Sequence, residues 1–288
     1  MFTLKNNQLE LTINPCGAEL VRVLQGEIDY LWNGDATFWE RTSPVLFPIV
    51  GSLAQGRYFY QGQAFEMGQH GFARDMDFIC VDQRERELYF ETVSNEETRM
   101  KYPFDFKLRI GYVLENNCVT VKWEVENKSG GTMPFSIGAH PAFMAGPELL
   151  DYDLKVKESN DIETYLLGAD GLIRDEKRTI FEHTKTISLC KELFIKYPTL
   201  ILEGEKGMQL VSHSHNRKVE ITFDGFPYVG IWSPINETGE IAPFVCVEPW
   251  FGMADTVEEP GDIQDKKGIQ MLEVGGKFEA QYQMRFMK

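Results

Sequence analysis

Apolar residues along this chain recur with period two far more often than with the period of a helix. Leu9, Leu11 and Ile13 alternate with polar residues, a turn at Asn14-Pro15 and Gly17 follows, and the apolar pattern resumes over 20–24. A short strand is predicted over 30–32, ending at Asn33-Gly34-Asp35. The run 43–52 carries two prolines and reads as a buried irregular segment or an edge, not a central strand. Tyr58 to Tyr60, the turn Gln61-Gly62, and Ala64-Phe65 predict a hairpin that delivers the chain to His70. Segments 78–81 and 88–90 flank a charged 82–87 in the same manner.

The strictest alternation is Phe106, Leu108, Ile110, Tyr112 and Leu114, reversed after 115–117 by Val119, Val121, Trp123 and Val125. That is an antiparallel hairpin with one apolar and one polar face. Between 147 and 200 the pattern is least legible, with short strands predicted at 152–156 and 186–189. Strand patterns return at 200–202, 209–211, 218–223 and 228–232. The run Phe244-Val-Cys-Val247 predicts a short strand ending at Glu248-Pro249, with Glu248 at its C-terminal mouth. Phe278, Ala280, Tyr282, Met284 and Phe286 alternate to the end. No stretch makes an amphipathic helix of three turns, 253–261 is at most a short turn, and there is no repeat or linker. The expected fold is all-β: a single domain over 1–288, built as one large antiparallel β-sandwich.

Charge narrows the partners. The formal net charge of -15 repels nucleic-acid phosphates and anionic lipid, so neither a nucleic acid nor a membrane surface is expected as partner. No window approaches the roughly 18 consecutive apolar residues of a membrane span. The five cysteines are odd in number and form no Cys-x-x-Cys, which reads as free thiols in a reducing compartment. No basic segment followed by an apolar run opens the chain, and a cytoplasmic location is expected.

Only five histidines are present, and two lie in Gly- or Pro-bounded segments: Met67-Gly-Gln-His-Gly-Phe-Ala-Arg74 and Gly138-Ala-His140-Pro-Ala-Phe143. A third such segment, Cys246-Val-Glu248-Pro-Trp-Phe-Gly252, carries a carboxylate. Proline restricts the residue before it, so His140 is rigidly held, and small Gly138 and Ala139 leave room beside it. Either histidine alone is as readily a packed structural residue as an acid or base. Glu248 sits among large apolar groups that partly desolvate it, which raises its pKa and makes it a better base; the alternative is an exposed strand-end glutamate. The aromatic neighbours suit the apolar face of a sugar ring. His70, His140 and Glu248 also make a conceivable His₂Glu zinc site, and His213-Ser-His215 a metal pair. No metal-binding local motif supports the first, and the polar surroundings of the second favour a solvated loop tip, so no metal is assigned. Phosphate-binding loop, dinucleotide fingerprint and nucleophile elbow are all missing from the sequence.

The three segments, in this order and on a β-rich chain, resemble the aldose 1-epimerase (galactose mutarotase-like) family, and most nearly its LacX-type branch. The resemblance spans nearly the whole chain. It implies a large β-supersandwich with a shallow cleft on one sheet, and interconversion of α and β hexose anomers without a cofactor. Carried over by motif, Glu248 is the base that takes the C1-hydroxyl proton, His140 the acid that protonates the ring oxygen, and His70 the group that holds the sugar and stabilises charge as the ring opens. The family's early sugar-contacting arginine falls on Gly51-Ser52 and is missing, which makes Arg74 its expected substitute; the alternative for Arg74 is a salt bridge to Asp75 or Asp77. Trp232 is a candidate sugar-binding aromatic or a core residue. The family's sugar-binding aspartate has no assigned position. The implied substrate is galactose or glucose, with or without a phosphate, and the competing readings are a hexose-6-phosphate mutarotase and a non-catalytic sugar-binding protein on the same fold.

Overall fold

A computed structural model of the chain describes residues 1–146, 149–168, 170–256 and 259–288. Two sheets face each other. The larger has nine strands, ordered in space Thr186–Ser188, Tyr152–Val156, Gly207–Ser212, Lys218–Thr222, Lys277–Met287, Cys118–Asn127, Phe106–Glu115, Glu87–Val93 and Ile79–Gln83. The smaller runs Thr199–Glu203, Tyr228–Trp232, Phe244–Phe251, Ile137–Ala139 and Val45–Leu46, with Ala142–Met144 also paired to Phe244–Phe251. Their pairings are antiparallel throughout. Period-two alternation produces this directly, because one face of each strand must leave water. Leu108, Ile110, Val121, Val125, Met284 and Phe286 of the larger sheet meet Val229, Ile231, Val245 and Val247 of the smaller in one continuous core. A four-stranded N-terminal sheet adds Leu11, Ile13, Leu20 and Val23 to it. Among the described residues no helix is long and apolar enough to cross a membrane.

The predicted sandwich and its hairpins are present, with the 106–125 pair extended to Phe106–Glu115 and Cys118–Asn127. Among the described residues the α-helices are Glu96–Lys101 and Lys191–Lys196, six residues each. Three expectations need correction. The strand carrying Glu248 does not end there; it runs on to Phe251, so Glu248 is central. Proline is tolerated in that central strand because its neighbour is broken at His140-Pro141, between Ile137–Ala139 and Ala142–Met144, so the missing N–H falls where there is no ladder to complete. The strand predicted over 30–32 is only the bridge Leu31–Phe143, following Ile28–Asp29. A hairpin in the illegible middle, Ile162–Leu167 with Ile173–Phe181, went unread because two register shifts scramble its alternation. In the predicted 253–261 turn, residues 257 and 258 lie outside the described residues.

The smaller sheet has a second, outward face with two apolar patches. Trp32, Ala142, Phe244 and Cys246 form one, joined by Phe38, Trp39 and Trp232. Leu46, Tyr165, Ile173, Ile201, Tyr228, Trp250, Met253 and Ala254 belong to the other. The 162–167 strand crosses this face and is pinned to it where Ile201 N–H donates to Thr164 Oγ1 at 2.8 Å. The segment at His70 approaches from the edge. Phe47 N–H donates to His70 O, and the N–H groups of Phe72 and Ala73 donate to Phe47 O, at 3.0–3.2 Å. This lacing demands a tight turn in which His70 (φ 66°) and Gly71 (φ 72°) are both left-handed. A Cβ on Gly71 would come within 2.2 Å of Phe47 O, a backbone atom that cannot swing away. Gly71→Ala is therefore expected to lower stability by more than about 2 kcal/mol, the combined scale of left-handed strain and overpacking. Urea denaturation measures it, and an unchanged midpoint would refute the account.

Candidate active site

Glu248, His140 and their neighbours occupy the strip between the two outward patches. The pairing register is the same on either side of the strand break: Gly138 is opposite Trp250 and Ala142 is opposite Cys246. His140 therefore falls directly across from Glu248, as a cross-strand pair. Its Nε2 lies 3.2 Å from Glu248 Oε2, and both side chains are buried. Alternation along Phe244–Phe251 sends Val245 and Val247 to the main core and leaves Cys246, Glu248 and Trp250 on the outward face.

Aromatic rings enclose the pair. Trp39 lies over His140 with ring centroids 4.6 Å apart and planes 31° from parallel, while Trp232 meets the same imidazole edge-on at 5.5 Å. Trp250 lies flat across the sheet, over the two strands that flank its own. A Cβ on Gly138 would stand 2.6 Å from that indole and one on Gly230 2.4 Å, so glycine at both positions is what lets the ring lie down. Trp39 is held in its polar loop by the Trp32 indole N–H, which donates to its carbonyl at 2.8 Å.

His70 reaches the strip from the edge, its ring 5.7 Å from that of His140 and perpendicular to it. Gly51 N–H donates to His70 Nδ1 at 3.0 Å, and His70 N–H donates back to Gly51 O at 2.9 Å. A backbone N–H can only donate, so Nδ1 is unprotonated and the neutral imidazole carries its hydrogen on Nε2. Burial pushes the His70 pKa well below the usual imidazole value, helped by His140, Arg74, Lys266 and Arg41. Burial also depresses His140, to about 3, with Arg74 and Arg41 adding to the effect. Glu248 moves the other way, well above the usual carboxylate range, because desolvation penalises its charge. The Trp250 indole nitrogen is buried with no acceptor in hydrogen-bonding geometry, so it does little to offset that shift. Both shifts in the facing pair favour a single shared proton with no net separation of charge.

A cavity of about 360 Å³ opens on these groups. His70, Arg74, His140, Trp232 and Glu248, the five residues singled out in the sequence, all line it. Arg74 is mostly buried; Nη2 donates to Gln69 O at 2.9 Å, and Nε is 3.9 Å from Asp75 Oδ2. The shorter contact of Asp75 is to Arg41, at 2.8 Å, so the salt-bridge alternative for Arg74 is only a weak contact. Sequence reasoning passed over Trp39 and Gln69, while Trp250, one of the aromatic neighbours of Glu248 that it did point to, lines the cavity. Trp39 had a signal, a Phe38-Trp39 aromatic pair following the polar Asn33-Gly-Asp35 turn; Gln69 had none. Among the described lining residues Glu248 is the only carboxylate and Arg74 the only Lys or Arg, so no lining residue corresponds to the family's sugar-binding aspartate.

One donor set of metal-ligating types occurs among the described residues. It is His140, Cys246 and Glu248, within 4.8 Å of one another, and it does not include His70. Burial, and after it the charge of Glu248, push the pKa of the Cys246 thiol well up. His213 is exposed, its Nε2 2.9 Å from Asp153 Oδ2, in a bend beyond the strand Gly207–Ser212, which fits the solvated loop tip.

Known proteins share this architecture and, in part, this sequence. The family model described as aldose 1-epimerase matches residues 1–268. Protein LacX of Lactococcus lactis subsp. lactis is 31% identical over 284 residues, covering 92% of each chain. A galactose mutarotase-like protein from Lactobacillus casei superposes with a TM-score of 0.94 at 31% identity, over 100% of both chains. A galactose mutarotase related enzyme from Lactobacillus acidophilus gives 0.93 at 32% identity, over 100% of this chain and 97% of that one. A chain of this sequence, folded as this antiparallel β-sandwich, belongs to the aldose 1-epimerase family.

Proposed function

We propose that the protein is a hexose mutarotase, opening and reclosing the pyranose ring of an unphosphorylated aldose in the cavity between Trp39 and Trp250. The observation that carries this reading is the buried His140–Glu248 contact of 3.2 Å, with the Nε2–H of His70 available beside it. Ring opening removes a proton from the C1 hydroxyl and delivers one to the ring oxygen. In the reactive arrangement Glu248 is a carboxylate and His140 an imidazolium. Glu248 takes the hydroxyl proton while His140 protonates the ring oxygen, and the pair becomes a carboxylic acid beside a neutral imidazole. The number of protons on the pair is unchanged. Reclosure reverses the transfer, after rotation about C1–C2 has exposed either face of the aldehyde. Burial favours the uncharged arrangement, so the low-dielectric site supports opening, while His70 donates to the ring oxygen as negative charge develops there.

Sugar recognition follows from the lining. Trp250 and Trp232 offer apolar faces to ring C–H groups, while Gln69 and Arg74 supply donors to hydroxyls. A phosphate dianion calls for several cationic donors, and with Arg74 as the only Lys or Arg among the described lining residues an unphosphorylated hexose is the better match.

Polarimetry or saturation-transfer NMR on fresh α-galactose, α-glucose and glucose 6-phosphate tests the reading. The two free hexoses should equilibrate faster than in buffer, and the phosphate ester should gain little. Glu248→Gln and His140→Asn should each slow the exchange by about 10²–10⁴-fold, the usual contribution of a positioned acid or base. If the native protein accelerates none of the three sugars, the proposal fails, and binding without turnover would make it a sugar-binding protein. The pH profile is a separate check. His140 is depressed, so a second proton reaches the pair only well below the ordinary imidazole value of 6.5. Glu248 is raised, so loss of the shared proton is deferred to above the ordinary carboxylate value. The rate should not fall as pH drops from 7 through 6.5, and an acid limb centred at an ordinary histidine pKa would contradict the assignment.

A further inference from the structure

A second buried charge pair lies behind the cavity and takes no part in the proton transfers. Lys266 Nζ donates to Asp255 Oδ1 at 2.8 Å, and both residues are buried. Asp255 Oδ2 accepts the N–H of Ala54 at 2.8 Å, and its own N–H donates to Ser52 O at 2.9 Å. Its carbonyl accepts the N–H of Ile173 at 2.8 Å, on the strand that walls the cavity. One residue thus joins the 51–54 loop, the 173–181 strand and the turn at Ile263–Asp265. Gly51 is packed so tightly against this segment that a Cβ on it would stand 2.6 Å from Ala254 N. The 51–54 loop is also the one whose Gly51 N–H binds His70 Nδ1.

Two charges taken out of water are weak evidence of added stability, since an apolar pair of similar volume often stabilises as well or better. A carboxylate does something an apolar group cannot: it accepts the loop N–H and the ammonium at once. We infer that Asp255, charge-balanced by Lys266, is a positioning residue for His70, fixing the 51–54 loop so that Gly51 holds Nδ1 and Nε2–H is presented to the sugar. The groups that face His70 are His140, Arg74, Arg41 and Lys266, and those near the pair are Asp262, Asp265 and Lys267. Lys266 is balanced by a buried anion, Asp255. Removing only its charge leaves Asp255 unpaired, draws a proton to His70 and breaks the Gly51 bond, because a protonated Nδ1 cannot accept.

The test uses full-length protein with ¹⁵N-labelled histidine, the His70 signals being assigned by their loss in His70→Asn. Wild-type His70 should show an unprotonated Nδ1 and a protonated Nε2 from pH 8 down to below 6. In Lys266→Met its protonation should shift upward by about one pH unit or more. In the same variant kcat for galactose should fall about tenfold or more with little change in KM, as expected for a displaced catalytic group. The double substitution Asp255→Asn with Lys266→Met removes both charges and keeps an amide oxygen for Ala54 N–H. It should return His70 to the wild-type form and recover most of kcat. His70 unmoved in Lys266→Met overturns the inference. Should that variant not fold, a folded double variant with His70 in mixed tautomers overturns it instead, and one with the wild-type tautomer supports it. The role assigned to Asp255 rests on the mutarotase reading only for its rate arm. The histidine signals need no turnover, so their predicted behaviour in a protein without anomer exchange would sink that reading and leave this one standing.

Discussion

Everything in the candidate site depends on placing a carboxylate and an imidazole directly across a strand break, both largely withdrawn from water. In water a glutamate and a histidine hold their protons at values about two units apart. Here desolvation raises one and lowers the other, which reverses that order and draws the shared proton toward Glu248. A solvated pair would keep the ordinary order, with the proton on the imidazole. The smaller sheet supplies the geometry through its register, and the rings of Trp39, Trp232 and Trp250 supply the dryness.

The surrounding architecture serves that strip from two directions. Core residues between the sheets hold the strand Phe244–Phe251 rigid from behind, through Val245 and Val247. On the other face two apolar patches flank the pair without covering it, and the 162–167 strand closes one side. His70 sits in a left-handed conformation that costs about 1–2 kcal/mol for a residue with a Cβ. It stays there because its backbone and ring are bonded to Phe47 and Gly51 at once. Local strain of this kind persists where the neighbouring contacts over-determine it, and it aims a side chain that a relaxed turn would point elsewhere.

Much of this could be read without coordinates. The strand hairpins follow from alternation, because a half-buried sheet must repeat every two residues. His70, His140 and Glu248 were legible from their Gly- and Pro-bounded segments, and Arg74 from its place at the end of one of them. All of them line one cavity, as does Trp232. What failed was local reasoning applied to non-local facts. Pro249 looked like a strand terminator, yet the neighbouring strand breaks where its missing N–H would have mattered. The 162–181 hairpin lost its signature to two register shifts.

The amino-acid sequence by itself determined the all-β class and the main hairpins and singled out His70, His140 and Glu248, since these depend on side-chain chemistry and a period of two. Only the tertiary structure decided that His140 opposes Glu248, that Trp250 can lie flat over Gly138 and Gly230, and that Gly51 sets the tautomer of His70. Each of these is a contact between segments about twenty to more than a hundred residues apart. Their distances are set by pairing register and packing, which no local pattern encodes.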